Sequence, residues 1–193
     1  DADSAMKNQV HIAGYFPGAI GRITTLHAVY YKEHWGLDHT FEAQVSRELA
    51  AFILGFDPGR DGLWNAISGE HLAGCIAIVG DRQHQREARL RWFMVDPAFQ
   101  GRGIGKTLIE RAIHFCKDAG LDRISLWTFE GLDRARSIYE QNGFILTQIH
   151  EVAQWGDLIK EQRFDLNLTS CAEPGWKKRA GDGHKTGPHE SPV

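Results

Sequence analysis

Seven consecutive residues, Gln100-Gly101-Arg102-Gly103-Ile104-Gly105-Lys106, combine backbone freedom with positive charge. They follow a strand-like run ending Phe93-Met94-Val95-Asp96-Pro97, and they open a stretch of helical period. A glycine-rich turn between a strand and a helix aims several backbone N–H groups at one spot. With the positive end of the helix, those donors favour an anion such as a phosphate.

Spacing separates the phosphate-binding patterns that compete for this turn. A P-loop needs a glycine, four residues and then Gly-Lys-Ser/Thr. Gly105-Lys106-Thr107 supplies the end, but the position five before Gly105 is Gln100, and Gly101 is one residue too close. The dinucleotide fingerprint G-x-G-x-x-G meets Gly101 and Gly103 and then finds Lys106 where its third glycine belongs. Gln/Arg-x-x-Gly-x-Gly does fit, as Gln100, Gly103 and Gly105.

The elements that must position this turn are legible from period and punctuation. Gln9 to Tyr15 reads as a strand broken by Pro17-Gly18. Ala19 to Trp35 has Ile20, Ile23, Leu26, Val29 and Tyr30 at helical spacing and ends at Gly36. Phe41 to Leu54 reads as a second helix. Leu63 to Ile67 and Leu72 to Val79 read as strands around a turn at Ser68-Gly69-Glu70. In Ala88 to Val95, strict alternation puts Leu90, Trp92 and Met94 on one side and Arg89, Arg91, Phe93 and Val95 on the other. Gly103 to Ala119 carries the strongest amphipathic stripe: Ile104, Leu108, Ala112, Phe115-Cys116 and Ala119. Arg123 to Thr128 reads as a strand and Asp133 to Asn142 as a short helix closed by Gly143. Phe144 to Glu151 and Gln162 to Leu168 read as two final strands. The order is strand, two helices, three strands, helix, strand, helix, two strands, which is an α/β arrangement.

Length and composition fit this outline. The 193 residues suggest one domain over 1–169 with a flexible Gly-, Pro- and Lys-rich tail over 170–193. A hydrophobic content of 42% and a charged content of 24% are ordinary for a globular chain. A net charge of -3 gives no sign of a nucleic-acid partner. No run is apolar and long enough to span a membrane. The polar run Asp1 to Val10 does not read as a signal peptide, so a cytoplasmic location is the expectation. Cys75, Cys116 and Cys171 are too few and too scattered for a disulfide framework or a zinc site.

The glycine turn, together with Ile138-Tyr139-Glu140-Gln141-Asn142-Gly143-Phe144, resembles the GNAT acetyltransferase superfamily. The element order resembles it over about residues 9 to 168. The likeness is closer to a bacterial subgroup, some of whose members follow a winged-helix regulator domain. Phe115-Cys116, Leu126-Trp127-Thr128, Leu132, Ala135-Arg136, Trp155-Gly156 and Gln162-Arg163-Phe164 carry that likeness. The resemblance implies a mixed, mostly antiparallel seven-stranded sheet flanked by about four helices. It implies acetyl-coenzyme A as cofactor, and an N-acetyltransferase acting on a primary amine by direct attack in a ternary complex. A non-catalytic acyl-coenzyme A binding or sensing module is the alternative. Pairing as a homodimer is also implied, since relatives often join through their sheets or final strands.

The family's chemistry distributes roles over this chain. Backbone N–H groups from Gly101 to Lys106 would meet the pyrophosphate, with glycine at 103 and 105 admitting close approach and Arg102 and Lys106 adding charge. The resemblance places the pantetheine arm beside Phe93, Met94 and Val95, where a backbone N–H near Val95 would polarise the thioester carbonyl. Phe93 and Val95 equally suit core packing. Tyr139 would protonate the departing thiolate; it also suits packing on a short helix. Two positions depart from the family pattern. The strand before the turn carries Arg89 and Arg91 where many relatives use a glutamate base, and Leu132 stands where many have an asparagine for the cofactor arm. Ser137 is a candidate substitute for that asparagine. Glu130, Glu33, His34 and His150, or a water chain, remain open as the base. His27, Tyr30, Tyr31 and His34 on the first helix, with Trp155 in the last loop, are candidates to line an acceptor pocket, with core or surface positions as the alternative for Tyr30 and His27.

Overall fold

A computed structural model describes residues 9–156 and 158–169. Seven strands form one sheet: β1 (Val10–Ala13), β2 (Gly62–Ser68), β3 (His71–Gly80), β4 (Glu87–Val95), β5 (Arg123–Phe129), β6 (Ile145–Val152) and β7 (Ile159–Asn167). Their order is β1-β2-β3-β4-β5-β7-β6, and every neighbouring pair is antiparallel except β4 and β5. Four helices flank it: α1 (Ala19–Trp35), α2 (His39–Leu54), α3 (Ile104–Asp118) and α4 (Asp133–Gln141). The mixed seven-stranded sheet with four helices is the fold the resemblance implied. The tail over 170–193, with Cys171, lies outside the described residues.

Each face of the sheet has its own core. On one side α1 and α2 press Ile23, Tyr31, Phe41, Val45 and Leu49 onto Cys75, Trp92, Met94 and Phe129. On the other, the α3 stripe of Ile104, Leu108, Ile109, Ala112 and Cys116 meets Ile76, Ile78, Leu90, Ile124 and Leu126, joined by Tyr139 of α4. Of the stripe read from the sequence, Ile104, Leu108, Ala112 and Cys116 are buried and Phe115 is half-buried, while Ala119 lies past the helix end and is exposed. The α2 helix starts two residues earlier than its period indicates, because the Asp38 side chain accepts a hydrogen bond from the Thr40 N–H at 2.9 Å and caps the end.

Strand β4 departs from its sequence pattern. Leu90 packs on the α3 side, while Trp92 and Met94 pack on the α1–α2 side. The cause is a bulge. Cys75 pairs with Met94 and Ala77 with Arg91, so Ile76 alone faces both Trp92 and Phe93. Trp92 sits at φ 47, a left-handed conformation that bulky residues rarely adopt. One extra residue inverts the alternation, which strict period 2 has no means to anticipate. The thiol of Cys75 donates to the Trp92 carbonyl at 3.1 Å. Burial pushes that thiol up to about 12, partly offset by a hydrogen bond with the Met94 backbone, so the group holds both sides of the bulge and stays protonated.

The sheet opens just ahead of the bulge. β4 and β5 are in register only from Glu87–Arg123 to Arg89–Ser125. β4 continues along β3 as far as Val95, and β5 continues along β7 as far as Phe129. The facing edges of β4 and β5 beyond that point are not hydrogen-bonded to each other.

Two buried titratable groups give the fold opposed pH dependences. His27 is fully buried; burial, offset by its bond to the Ile23 carbonyl, lowers it to about 4. Its contribution to stability is present above its unfolded value of 6.5 and lost as pH falls from there toward about 4. Glu161 on β7 is buried, with Oε1 lacking a hydrogen-bond partner. Burial raises it to about 7 against a weaker lowering by Arg89. Stability from its protonated form is present below 4.5 and lost as pH rises through about 7.

Two stability outcomes follow from these features. Cys75→Ala leaves the buried Trp92 carbonyl without its donor and lowers urea-unfolding stability by about 1–3 kcal/mol; an unchanged midpoint would show that the thiol does not hold the bulge. Glu161→Gln raises the melting temperature at pH above about 7 more than at pH below about 4.5, measured by calorimetry, and a gain equal at both would exclude the buried carboxylate as the cause.

Candidate active site

The gap between β4 and β5 is the centre of a cavity of about 630 Å³. Phe93, Met94 and Val95 line it from β4, and Trp127 and Thr128 from β5. Gly101, Gly103, Ile104, Gly105 and Lys106 close one side, and Leu132, Arg134 and Tyr139 another. Tyr30, Tyr31 and His34 of α1 form a further wall. The cavity thus gathers eight of the nine residues expected to serve the site. The ninth, Arg102, is not among its lining; its guanidinium lies 5.0 Å from the Phe99 ring centroid.

The glycine turn is built to be open. Asp96 starts a short 3-10 turn, Pro97–Phe99, by accepting from the Ala98 N–H at 2.8 Å. Gly101 and Gly103 then take left-handed conformations, φ 76 and 77, which favour glycine. A Cβ on either would meet no atom within 4 Å. At Gly105 a Cβ would lie 3.0 Å from Ile138 Cδ1 and 3.5 Å from Phe93 and Val95, so its absence keeps the channel clear. Gly103 is the N-cap of α3, with no side-chain cap, and the first turn holds no acidic residue. This uncapped helix start lines the cavity, and the free N–H groups of a helix N-terminus suit an anionic ligand. Arg134 donates to the Gln100 side chain, and Gln100 Nε2 donates to the Val95 carbonyl at 3.4 Å. This chain of contacts ties α4, the turn and the end of β4 together.

Tyr139 is 3% exposed and packs its ring near Phe93, Phe144 and Phe164, with centroids at 5.7, 5.8 and 5.9 Å. Burial raises its phenol far above the ordinary value. It therefore remains protonated, a donor rather than an acceptor of protons. Packing and chemical availability coexist in this residue.

On the α1 side, Tyr30 and His34 stack at 4.1 Å, and His34 Nδ1 lies 2.8 Å from the Tyr30 carbonyl. Burial raises the Tyr30 phenol, with Arg134 opposing the shift. Tyr31 is both core and cavity wall. Arg91 pairs with Glu48 of α2 and lies 4.3 Å from the Trp92 ring centroid, so the arginine in the strand forms a buried ion pair.

Several expectations do not hold. Trp155 does not line the cavity; it is buried in the α1–α2 core, edge-on to Phe41, donating to Gln44 Oε1 at 2.9 Å. Ser137 does not replace the family asparagine, because it is exposed to solvent and accepts from Gln141 at 3.1 Å. Leu132 itself lines the cavity with an apolar side chain. Glu87 belongs to β4 and pairs with Arg123 at 2.6 Å. His27 is core. No motif in the sequence singles out Arg134; its one signal there is its place in the first turn of α4, the short helix that carries Tyr139.

Comparison with known proteins places these features in context. The profile of the Acetyltransferase (GNAT) family matches residues 22–144. A stretch of 62 residues is 42% identical to mycothiol acetyltransferase of Beutenbergia cavernae, covering 32% of this chain and 20% of that protein. A stretch of 82 residues is 30% identical to an N-acetyltransferase of Methanocaldococcus jannaschii, covering 42% of this chain and 35% of that protein. The matches thus span about a third or less of these relatives' own lengths. Among solved structures, an N-acetyltransferase from Staphylococcus aureus Mu50 superposes with a TM-score of 0.70 at 13% identity, covering 84% of this chain and 100% of that one. The yncA protein of Salmonella typhimurium, solved with its cofactor acetyl-CoA, superposes with a TM-score of 0.63 at 16% identity, covering 87% and 99%. Among the described residues, no helix is long and apolar enough to cross a membrane.

Proposed function

The chain belongs to the GNAT acetyltransferase family, and from that footing we propose that it moves an acetyl group from acetyl-coenzyme A to a primary amine, by direct attack with both substrates bound. The observation that carries this reading is the single cavity joining an uncapped glycine turn, the parted edges of β4 and β5, and a protonated Tyr139. The cofactor-bound relative supports it.

Acetyl-coenzyme A supplies an acyl group already activated as a thioester. The chain does the rest. N–H groups of Gly103 to Lys106 hold the pyrophosphate, and Lys106 and Arg134 add positive charge beside it. The unpaired edge of β4 from Phe93 to Val95 offers backbone donors and acceptors to the amides of the pantetheine arm, as an added strand would. An N–H on that edge polarises the thioester carbonyl, which gains negative charge as the amine attacks. Leu132 and Ile138 give the arm an apolar wall, consistent with the loss of the family asparagine. Tyr139 donates a hydrogen bond to the departing sulfur and is its proton source. Its burial among Phe93, Phe144 and Phe164 keeps water from competing for that position.

Acetyl-coenzyme A is expected to raise the melting temperature, and Gly103→Asp, which puts a carboxylate and a strained backbone into the turn, abolishes that rise. Tyr139→Phe retains the rise and lowers turnover by about 10²-fold. Cofactor stabilisation with no thiol release on any amine would favour the sensing module instead.

A further inference from the structure

We propose that His34 is the general base of the transfer, with Nε2 the atom that takes the amine proton; this rests on the acetyl-transfer reading. An alkylammonium titrates near about 10.4, so the acceptor needs help in losing a proton. Of the four side chains that were open for that task, His34 is the one that lines the cavity. Glu33 lies on the outer face of α1, beside Thr25, Val29 and Lys32. Glu130 pairs with Lys160 at 3.6 Å on the surface. His150 sits on β6 and meets the Trp127 ring edge-on at 5.2 Å, outside the cavity lining. The acidic lining residue, Asp133, heads α4 next to Arg134 and hence to Gln100, at the phosphate end.

The local geometry of His34 defines its chemistry. A carbonyl oxygen only accepts, so Nδ1 at 2.8 Å from the Tyr30 carbonyl carries the hydrogen. In the neutral ring the lone pair is then on Nε2. The stack on Tyr30 at 4.1 Å holds the ring plane. His27, seven residues earlier on the same helix, makes the same bond to its own i−4 carbonyl, at 2.8 Å. It is buried in the core and lowered to about 4, whereas His34 is exposed and borders the cavity. Two histidines with one tautomer are thus divided by burial into a structural and a reactive member.

The proton ledger closes. His34 Nε2 accepts a proton from the acceptor's ammonium, and the freed nitrogen lone pair forms the N–C bond to the thioester carbonyl carbon. As the C–S bond breaks, the sulfur leaves with its electron pair and takes the Tyr139 phenol proton. The second nitrogen proton restores the Tyr139 hydroxyl. His34 returns its proton to water through its exposed edge, so one proton is released per turnover.

The test compares wild type, His34→Gln and the control His150→Gln in the full chain. Phenethylamine, lysine and spermidine serve as acceptors, with thiol release followed from about pH 6 to about pH 9. The ionisable groups that line the cavity with His34 are Tyr30 and Tyr31 on its own helix, Arg91 of β4, Lys106 of α3, and Asp133, Arg134 and Tyr139 of α4. His34→Gln is expected to lower kcat by about 10²-fold, to abolish the acid limb of its pH profile, and to leave the thermal shift with acetyl-coenzyme A intact. The control retains wild-type turnover. Nitrogen-15 NMR of the imidazoles, without any acceptor, is expected to find Nδ1 of His34 protonated in the neutral ring. Equal kcat and pH profile in wild type and His34→Gln, or an Nε2-protonated neutral ring, would overturn the base assignment while acetyl transfer stands. Thiol release with none of the amines would overturn the acetyl-transfer reading and this role with it.

Discussion

One residue of excess length in β4 governs this molecule. Ile76 cannot match both Trp92 and Phe93, so the strand bulges there, just beyond its last pair with β5 at Arg89. The left-handed backbone at Trp92 costs about 1–2 kcal/mol. Burial of the Trp92 rings returns about 1.5–3 kcal/mol by the scale for large apolar groups, reduced by the cost of a buried indole N–H without a hydrogen-bond partner. The strain is thus held by the surrounding core, with the Cys75 thiol and the Arg91–Glu48 pair as local braces. The bulge puts Phe93 and Val95 on the α3 side of the sheet, where they line the cavity.

The two cores meet at that opening and contribute different properties. The α3–α4 side offers backbone donors, apolar walls and a protonated phenol, all placed by elements packed tightly on the sheet. The α1–α2 side offers aromatic rings and an imidazole on a helix whose other residues anchor the first core. Each side therefore holds its groups through its own packing, and the cavity needs no contribution from a loop crossing it. Arg134 and Gln100 link α4 to the glycine turn across its edge.

Much of this was legible in the chain, for identifiable reasons. The α3 stripe and the glycine turn combine a strong local period with residues that have few other uses, so both helix and cradle could be located. The pairing of Tyr139 with Gly143-Phe144 was similarly local. Features that depend on distant partners were not legible. Arg91 reads as a charge on a mixed strand face, and its partner Glu48, 43 residues earlier, is visible only in the fold. Trp155 sits in the last loop and reads as a pocket aromatic, yet its ring is core and its indole N–H donates to Gln44, 111 residues earlier. The faces of Trp92 and Met94 were misassigned because period 2 holds only while the ladder is unbroken. The choice among candidate bases required knowing which surface of α1 borders the opening, and helical period alone leaves two such surfaces.

The dual membership of α1 bears on how such a protein diverges. Ile23, His27 and Tyr31 anchor the helix in the core, while Tyr30 and His34 project along the cavity. Tyr31 belongs to both sets, so exchanging it trades fold integrity against pocket shape. Position 30 carries less of that burden, being only partly buried. Drift toward a new acceptor would accordingly pass through residue 30 first, and the helix itself would act as a ratchet: its core face holds the scaffold while its cavity side explores chemistry.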